Sequence, residues 1–236
     1  MEDFLGYHSE WNLGSPGGWE YQRITQELGK LAWRLLQPHL GLDIRLDFDH
    51  EYLNPVPAFA AALLRAHKKR NGNQAAHIVL VAEPDTLDTV VENRNFVQYL
   101  GSIDDVTASL AAPQELDYHQ GSLCHRGVQV TMMFMDFNND VLLKMEKDGP
   151  LTALRQAIKD DLVVNPRGME PAGAKGIFEA VTDSLREQLR ETTVQRTPWT
   201  RQLYERSTTG PEGEVINDLV TWTRENWDRL VLKPVQ

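Results

Sequence analysis

The sequence predicts a mixed α/β protein, and three observations carry that prediction. A 4-residue apolar run, Ile78-Val79-Leu80-Val81, is of the kind found in a strand buried on both faces. It leads through Glu83-Pro84-Asp85-Thr86 into Leu87, Val90, Val91, Phe96, Val97 and Leu100, a helical pattern that stops at Gly101. Strand followed by helix is one α/β unit. Third, a short apolar run, Leu162-Val163-Val164, recurs further on and is stopped by Asn165-Pro166.

Before the first strand, Tyr21, Ile24, Leu28, Leu31, Leu35 and Leu36 recur at three- and four-residue steps after Ser15-Pro16-Gly17-Gly18. This predicts an amphipathic helix ending near Gln37-Pro38, because the residue before a proline is pushed out of helical geometry. A second helix is expected from about Pro57 to His67. Its basic tail Lys68-Lys69-Arg70 suits a helix C-terminus before the Asn71-Gly72 turn. Leu116 to Phe137 reads as extended, with a turn at Arg126-Gly127 and Val128, Val130, Met132 and Phe134 alternating with their neighbours. Asp136 then falls just past a strand end. Helices are expected near Asp140 to Lys147, Leu151 to Ile158, Gly173 to Leu189 and Glu214 to Trp227, and a last strand at Leu230-Val231-Leu232.

The 236 residues are 41% hydrophobic and 25% charged, enough apolar mass for a core and too much for a disordered chain. One large domain or two small ones fit the length. The net charge of −10 disfavours general attraction to nucleic acid or to anionic membranes. No run reaches the ~18–20 apolar residues of a membrane span, and Met1-Glu-Asp-Phe-Leu-Gly has no secretory pattern. Cys124 is the single cysteine, which fits a reducing, cytoplasmic setting. The seven histidines lack metal-ligand spacing, and no GxSxG, GxxxxGK[ST] or GxGxxG occurs. Serine-hydrolase, P-loop and dinucleotide-fingerprint readings therefore have no support.

Five phrases, spread from residue 8 to 234, carry a resemblance: His8-Ser9-Glu10-Trp11-Asn12-Leu13-Gly14-Ser15-Pro16-Gly17-Gly18; Glu92 to Leu100; Val164-Asn165-Pro166 with Gly173-Ala174-Lys175; Pro198-Trp199-Thr200-Arg201; and Asn226 to Pro234. In this order they resemble the circularly permuted ATP-grasp family, the group that includes glutathionylspermidine synthase. The resemblance implies a Rossmann-like pre-ATP-grasp domain with an incomplete ATP-grasp lobe. Its implied boundaries are a permuted metal-ligand segment at 1–16, a pre-ATP-grasp-like α/β domain at 17–162 and the beginning of the nucleotide-binding lobe at 163–236.

The implied reaction is ATP-dependent ligation of a small-molecule carboxylate to an amine. The γ-phosphoryl group passes to the carboxylate, and the amine attacks the resulting acylphosphate. Positioning and charge neutralisation are the protein's share of that work. The resemblance assigns Glu10 and Asn12 to Mg2+, hard oxygen ligands for a hard ion, and Lys175 and Lys233 to the phosphates of ATP. Read from the residues alone, Glu10 and Asn12 serve equally as loop or N-capping groups, Lys175 as a surface lysine and Lys233 as a chain-end lysine. Glu92 and Arg94 are weaker candidates for a cleft, against a surface helix pair. Asp136 stands where the family often has an arginine-aspartate pair, with Phe134 and Met135 where a basic residue is expected. The six tryptophans read as packing anchors.

Two further parts of the family's site have no counterpart: an arginine-x-aspartate element ahead of Glu10, and a glycine-rich flap with an adenine hinge after Lys233-Pro234. The expectation is a fragment that does not catalyse ligation alone. The competing expectation is a non-catalytic α/β binding module derived from the family, whose apolar surfaces, left uncovered by truncation, favour self-association or a partner chain.

Overall fold

In the computed structural model, which describes residues 7–8, 11, 14–41, 43–50, 53–165, 168 and 173–234, the chain is a mixed α/β protein. It divides into two compact units, one formed by Gly14–Arg167 and the other by Met1–Leu13 with Gly168–Gln236.

The larger unit is organised by β1 (Ala76–Val81), which is buried along its whole length. It pairs in parallel with β2 (Val106–Ala111) on one side and with β6 (Met132–Met135) on the other. Val163 extends the sheet by a parallel bridge to Met133. Side chains alternate across a strand, so β1 and β6 feed two cores. Ile78, Leu80, Met132 and Phe134 pack with Leu63 of α2 (Pro55–Asn71), with Phe96 and Leu100 of α3 (Val91–Gly101), and with Trp19 at the start of α1 (Trp19–Leu40). Val79, Val81, Met133 and Met135 pack on the opposite face with Met145 of α4 (Asn139–Asp148) and Leu154 and Ala157 of α5 (Thr152–Lys159). Burial on both sides is what the unbroken apolar run of β1 requires.

Between β2 and β6 lies an antiparallel meander of β3 (Leu116–His119), β4 (Ser122–His125) and β5 (Val128–Gln129). Its two turns, Gln120-Gly121 and Arg126-Gly127, have positive φ at both residues. That is the two-residue hairpin geometry matching strand twist. Leu116 and Leu123 reach the second core.

The smaller unit is built from short elements: α6 (Ile177–Thr182), α7 (Glu191–Gln195), a β7–β8 hairpin (Thr208–Thr209, Val215–Ile216) and α8 (Leu219–Glu225), N-capped by the Asp218 carboxylate. No helix among the described residues is long and apolar enough to cross a membrane.

The structure corrects the expected element list in several places. α1 does not stop at Gln37 but continues through Pro38 to a left-handed Gly41. A proline in the last turn disrupts little, because few helical bonds remain beyond it. α3 begins at Val91, since a 3-10 turn at Pro84–Thr86 and a further turn occupy the expected first part of the helix. β2 has no apolar run to announce it: Val-Thr-Ala-Ser-Leu-Ala is recruited by its ladder to β1. All four residues of β6 are buried because helices cover both sides of it. The helix expected over Gly173 to Leu189 is reduced to α6 and a 3-10 turn at Arg186–Gln188, and Glu214 to Trp227 is helical only over Leu219–Glu225. Leu230-Val231-Leu232 is not a buried strand. It pairs with no described strand, and Val231 is 82% and Leu232 61% exposed.

Candidate functional site

The carboxyl ends of β1 and β6 are adjacent, and the chain leaves them in opposite directions: β1 is followed by a strand on one side of it, and β6 arrives on the other. At such a reversal open α/β sheets commonly bind ligands. Three sequence segments meet there.

The first is the Gly14–Gly18 loop. Asn165, buried just after the Val163 bridge, donates its side-chain amide to Gly14 O at 2.8 Å and to Met135 O at 2.8 Å, and accepts from Met135 N at 3.0 Å. One asparagine thus ties the loop to the end of β6. Ser15 Oγ donates to Asn138 Oδ1 at 3.1 Å.

The second is Glu92-Asn93 in the first turn of α3. Glu92 takes Gly18 N on Oε1 and Glu20 N on Oε2, each at 2.8 Å. The carboxylate therefore closes the N-terminus of α1 from a neighbouring helix, satisfying amides that no intrahelical carbonyl reaches. Gly18 holds φ +96°, and a Cβ at Gly17 would lie 3.0 Å from Glu92 Oε1, so both glycines are needed for this approach.

The third is Asp136, immediately after β6. Its backbone amide continues the ladder to Val81 O at 2.7 Å, while its carboxylate receives Asn93 Nδ2 at 2.6 Å. Burial pushes the Asp136 carboxyl up from its ordinary value; the Asn93 amide opposes this, and the Glu92 and Glu83 charges add to it. Burial thus pulls this carboxyl toward its neutral form, while the Asn93 N–H, a donor, favours the ionised one.

In the smaller unit, His8 N donates to Arg196 O at 2.7 Å, and His8 Nδ1 lies 3.1 Å from Thr197 Oγ1. Trp11 meets Phe178 of α6 edge-on, 5.1 Å between centroids. Lys175 is half-buried in the turn that opens α6, its carbonyl accepting from Phe178 N at 3.2 Å. The turn carrying Lys175 and the residue between Glu10 and Asn12 are thus joined through Phe178. Arg201, its side chain 2% exposed, donates to Thr208 Oγ1, Thr182 Oγ1 and Thr200 O at 2.8–3.0 Å and lies over the Trp199 ring. Burial lowers its pKa, partly offset by Asp183 and Glu179.

Glu10 and Asn12 lie outside the described residues. Lys233 is exposed on the unpaired segment rather than at the end of a strand, so the strand-end geometry expected for it is absent. Lys175 and Lys233 make no ion pair among the described residues. Arg94 is exposed on α3, and its neighbour Glu92 turns to α1 instead of pairing with it. Among the described residues no group of three or more histidine, cysteine or carboxylate side chains could hold a metal ion. An open groove of about 400 Å3 beside α5, lined by Pro113, Leu116, Tyr118 and Leu151, has Asp117 as its charged lining residue and gathers no reactive groups.

Sequence reasoning missed Asn165 as a tether and Asn93 as a partner of Asp136. Asn93 was findable: it takes a core-facing position in α3, three residues before Phe96 and seven before Leu100, where a polar side chain needs a partner. The chain is matched by no protein-family model and by no curated protein.

Proposed function

We propose that the chain is the central part of an ATP-dependent carboxylate–amine ligase of the circularly permuted ATP-grasp type, with a Rossmann-like pre-ATP-grasp domain and the opening of the nucleotide lobe. One observation carries the reading: the Gly14–Gly18 loop is held at the carboxyl edge of the parallel sheet by Asn165 and Glu92. Each of these side chains comes from a different one of the five phrases. Residues separated by more than 70 positions therefore act on one loop, which supports a shared ancestry of the arrangement more than any phrase does alone.

In this reading Lys175 and Lys233 hold phosphate oxygens of ATP, and Glu10 and Asn12 supply oxygen ligands to Mg2+. Bound Mg2+ supplies charge neutralisation at the transferring phosphoryl group. The substrates are a small-molecule carboxylate and an amine, joined through an acylphosphate.

Titration calorimetry of the 236-residue chain with MgATP tests this. The expected result is a binding heat that Lys175→Ala or Lys233→Ala weakens by tenfold or more, with no ATP turnover on adding candidate acids and amines. A chain that gives no heat, or whose heat survives both substitutions, sinks the ligase reading.

A further inference from the structure

Helix α1 is anchored at one end and along one side. Trp19 sits in the core, and residues 44–49 run along one flank: Gln37 Nε2 donates to Ile44 O at 3.2 Å, Lys30 pairs with Asp49 at 2.5 Å, and Gln26 donates to Phe48 O. A Cβ at Gly29 would meet the Phe48 ring at 3.0 Å, so the glycine lets that ring seat on the helix. At 100° per residue these contacts lie opposite the apolar stripe.

The stripe itself is open. Tyr21 is 78%, Ile24 44%, Leu28 61%, Leu31 53% and Leu35 64% exposed. Their steps are three, four, three and four residues, the heptad spacing of a coiled-coil seam rather than the broader face of a helix laid on a core. We infer that α1 is the dimerisation element of this protein and pairs antiparallel with α1 of a second copy.

Charge selects the second copy and its direction. Glu27 and Arg34 precede Leu28 and Leu35 and flank the seam on the same side; both are exposed, and Glu27 also pairs with Lys30 of its own helix at 3.2 Å, an exposed-carboxylate contact that leaves its second oxygen for a partner. In the antiparallel alignment that sets Leu28 against Leu31 of the other copy, Glu27 of each chain lies opposite Arg34 of the other. Two-fold symmetry makes the pair twice. Thr25 and Ala32, on the other flank, are small enough to let the helices close. The parallel alignment faces Glu20 with Thr25, Glu27 with Ala32 and Arg34 with His39, and gains no ion pair.

Area agrees. A side chain of this size surrenders about 100 Å2 on packing, so five from each copy give roughly 1,000 Å2, the lower end for a specific interface. That area belongs to the small, reversible class of interfaces. This inference does not rest on the ligase reading, and nucleotide takes no part in its test.

Sedimentation equilibrium of the whole chain checks it. The wild type is expected as a monomer–dimer mixture in the micromolar range. Leu28→Glu with Leu31→Glu is expected to be monomeric at concentrations a hundredfold higher, with the near-ultraviolet signal of buried Trp19 retained. Glu27→Arg and Arg34→Glu singly each weaken the dimer by about threefold to tenfold, and the two together restore it. A wild type that is monomeric at several hundred micromolar overturns the inference, as does a dimer indifferent to the leucine changes. Failure of the double charge swap to recover overturns the antiparallel pairing. A monomeric wild type that buries α1 only against another polypeptide likewise overturns self-pairing.

Discussion

Asn93 in α3 donates its side-chain amide to the carboxylate of Asp136 over 2.6 Å, joining a helix to the end of β6 at the carboxyl edge of the sheet. Its removal leaves a part-buried carboxylate without its donor. Asn93→Ala is expected to cost about 1.5–3 kcal/mol, the range of a hydrogen bond to a charged group. Urea denaturation at pH 7 measures this, and a loss below 0.5 kcal/mol contradicts the assignment.

The pH dependence has two opposed parts. The folded pKa of Asp136 lies above its ordinary value, burial being the main cause, so rising pH ionises the unfolded chain first and stability falls between the two pKa values. Asp136→Asn should therefore raise the neutral-pH denaturation midpoint and remove that fall. His67 and His125 are buried, and desolvation holds both below the ordinary 6.5. The unfolded chain takes up their protons first, so stability drops as pH falls below about 6.5. His125→Gln should flatten that acid-side drop; a midpoint profile that keeps its slope refutes the role.

Asn165 and Glu92 make separable predictions about the Gly14–Gly18 loop. Asn165→Ala removes three hydrogen bonds, two of them to the β6 backbone, and is expected to cost about 2–4 kcal/mol. Glu92→Ala leaves two amides at the start of α1 without this acceptor, at a cost of about 1–2 kcal/mol. Hydrogen exchange should show faster exchange at Gly18 and Glu20 in the Glu92 variant and at Met135 in the Asn165 variant. The reverse pattern would contradict the geometry.

Trp19 stacks on Phe59 at 4.7 Å and lies 5.3 Å from Phe96, yet its Nε1 is buried without a partner among the described residues. Trp19→Ala is expected to cost about 3–5 kcal/mol by cavity formation. Trp19→Phe keeps ring packing and discards the unpaired N–H, so its cost should be well under half of that. Equal losses for the two would mean that the indole N–H is satisfied in solution.

Arg201 is a structural cation in a dry setting, held by four oxygens, the Asp183 carboxylate among them at 3.4 Å, and by a tryptophan face. Arg201→Lys loses the planar fork that spans them and should destabilise by about 2–4 kcal/mol despite keeping the charge. Arg201→Met, apolar and of similar length, is expected to be no worse. Thermal denaturation of the two variants side by side distinguishes the cases.

Much of the sheet unit was legible because its signals are local. The unbroken run of β1 could only be a strand covered twice, and the Arg126-Gly127 turn announces its hairpin by backbone geometry. β2 was not legible, because its alanines and serine become a strand only through the ladder that β1 offers. Leu230-Leu232 failed in the opposite sense: an apolar run is strand-like in composition, but a strand also needs a ladder, and this segment joins none among the described residues and leaves Val231 and Leu232 exposed. The candidate site shares this division. The Pro-Gly-Gly of the Gly14–Gly18 loop marks a turn by residue type and Lys175 was singled out only by the resemblance, whereas Asn165 and Glu92 acquire their roles from partners 151 and 74 positions away.

The sequence by itself determined an acidic α/β chain, its central strand and its long amphipathic first helix. The tertiary structure decided which residues meet. A side-chain hydrogen bond depends on distances that only the assembled sheet and helices set, and so Glu92 became a cap of α1 and Asn165 a tether. The same assembly decided that the apolar stripe of α1, which periodicity could have assigned to the core, is left facing outward because Trp19 and the 44–49 segment hold the helix from elsewhere.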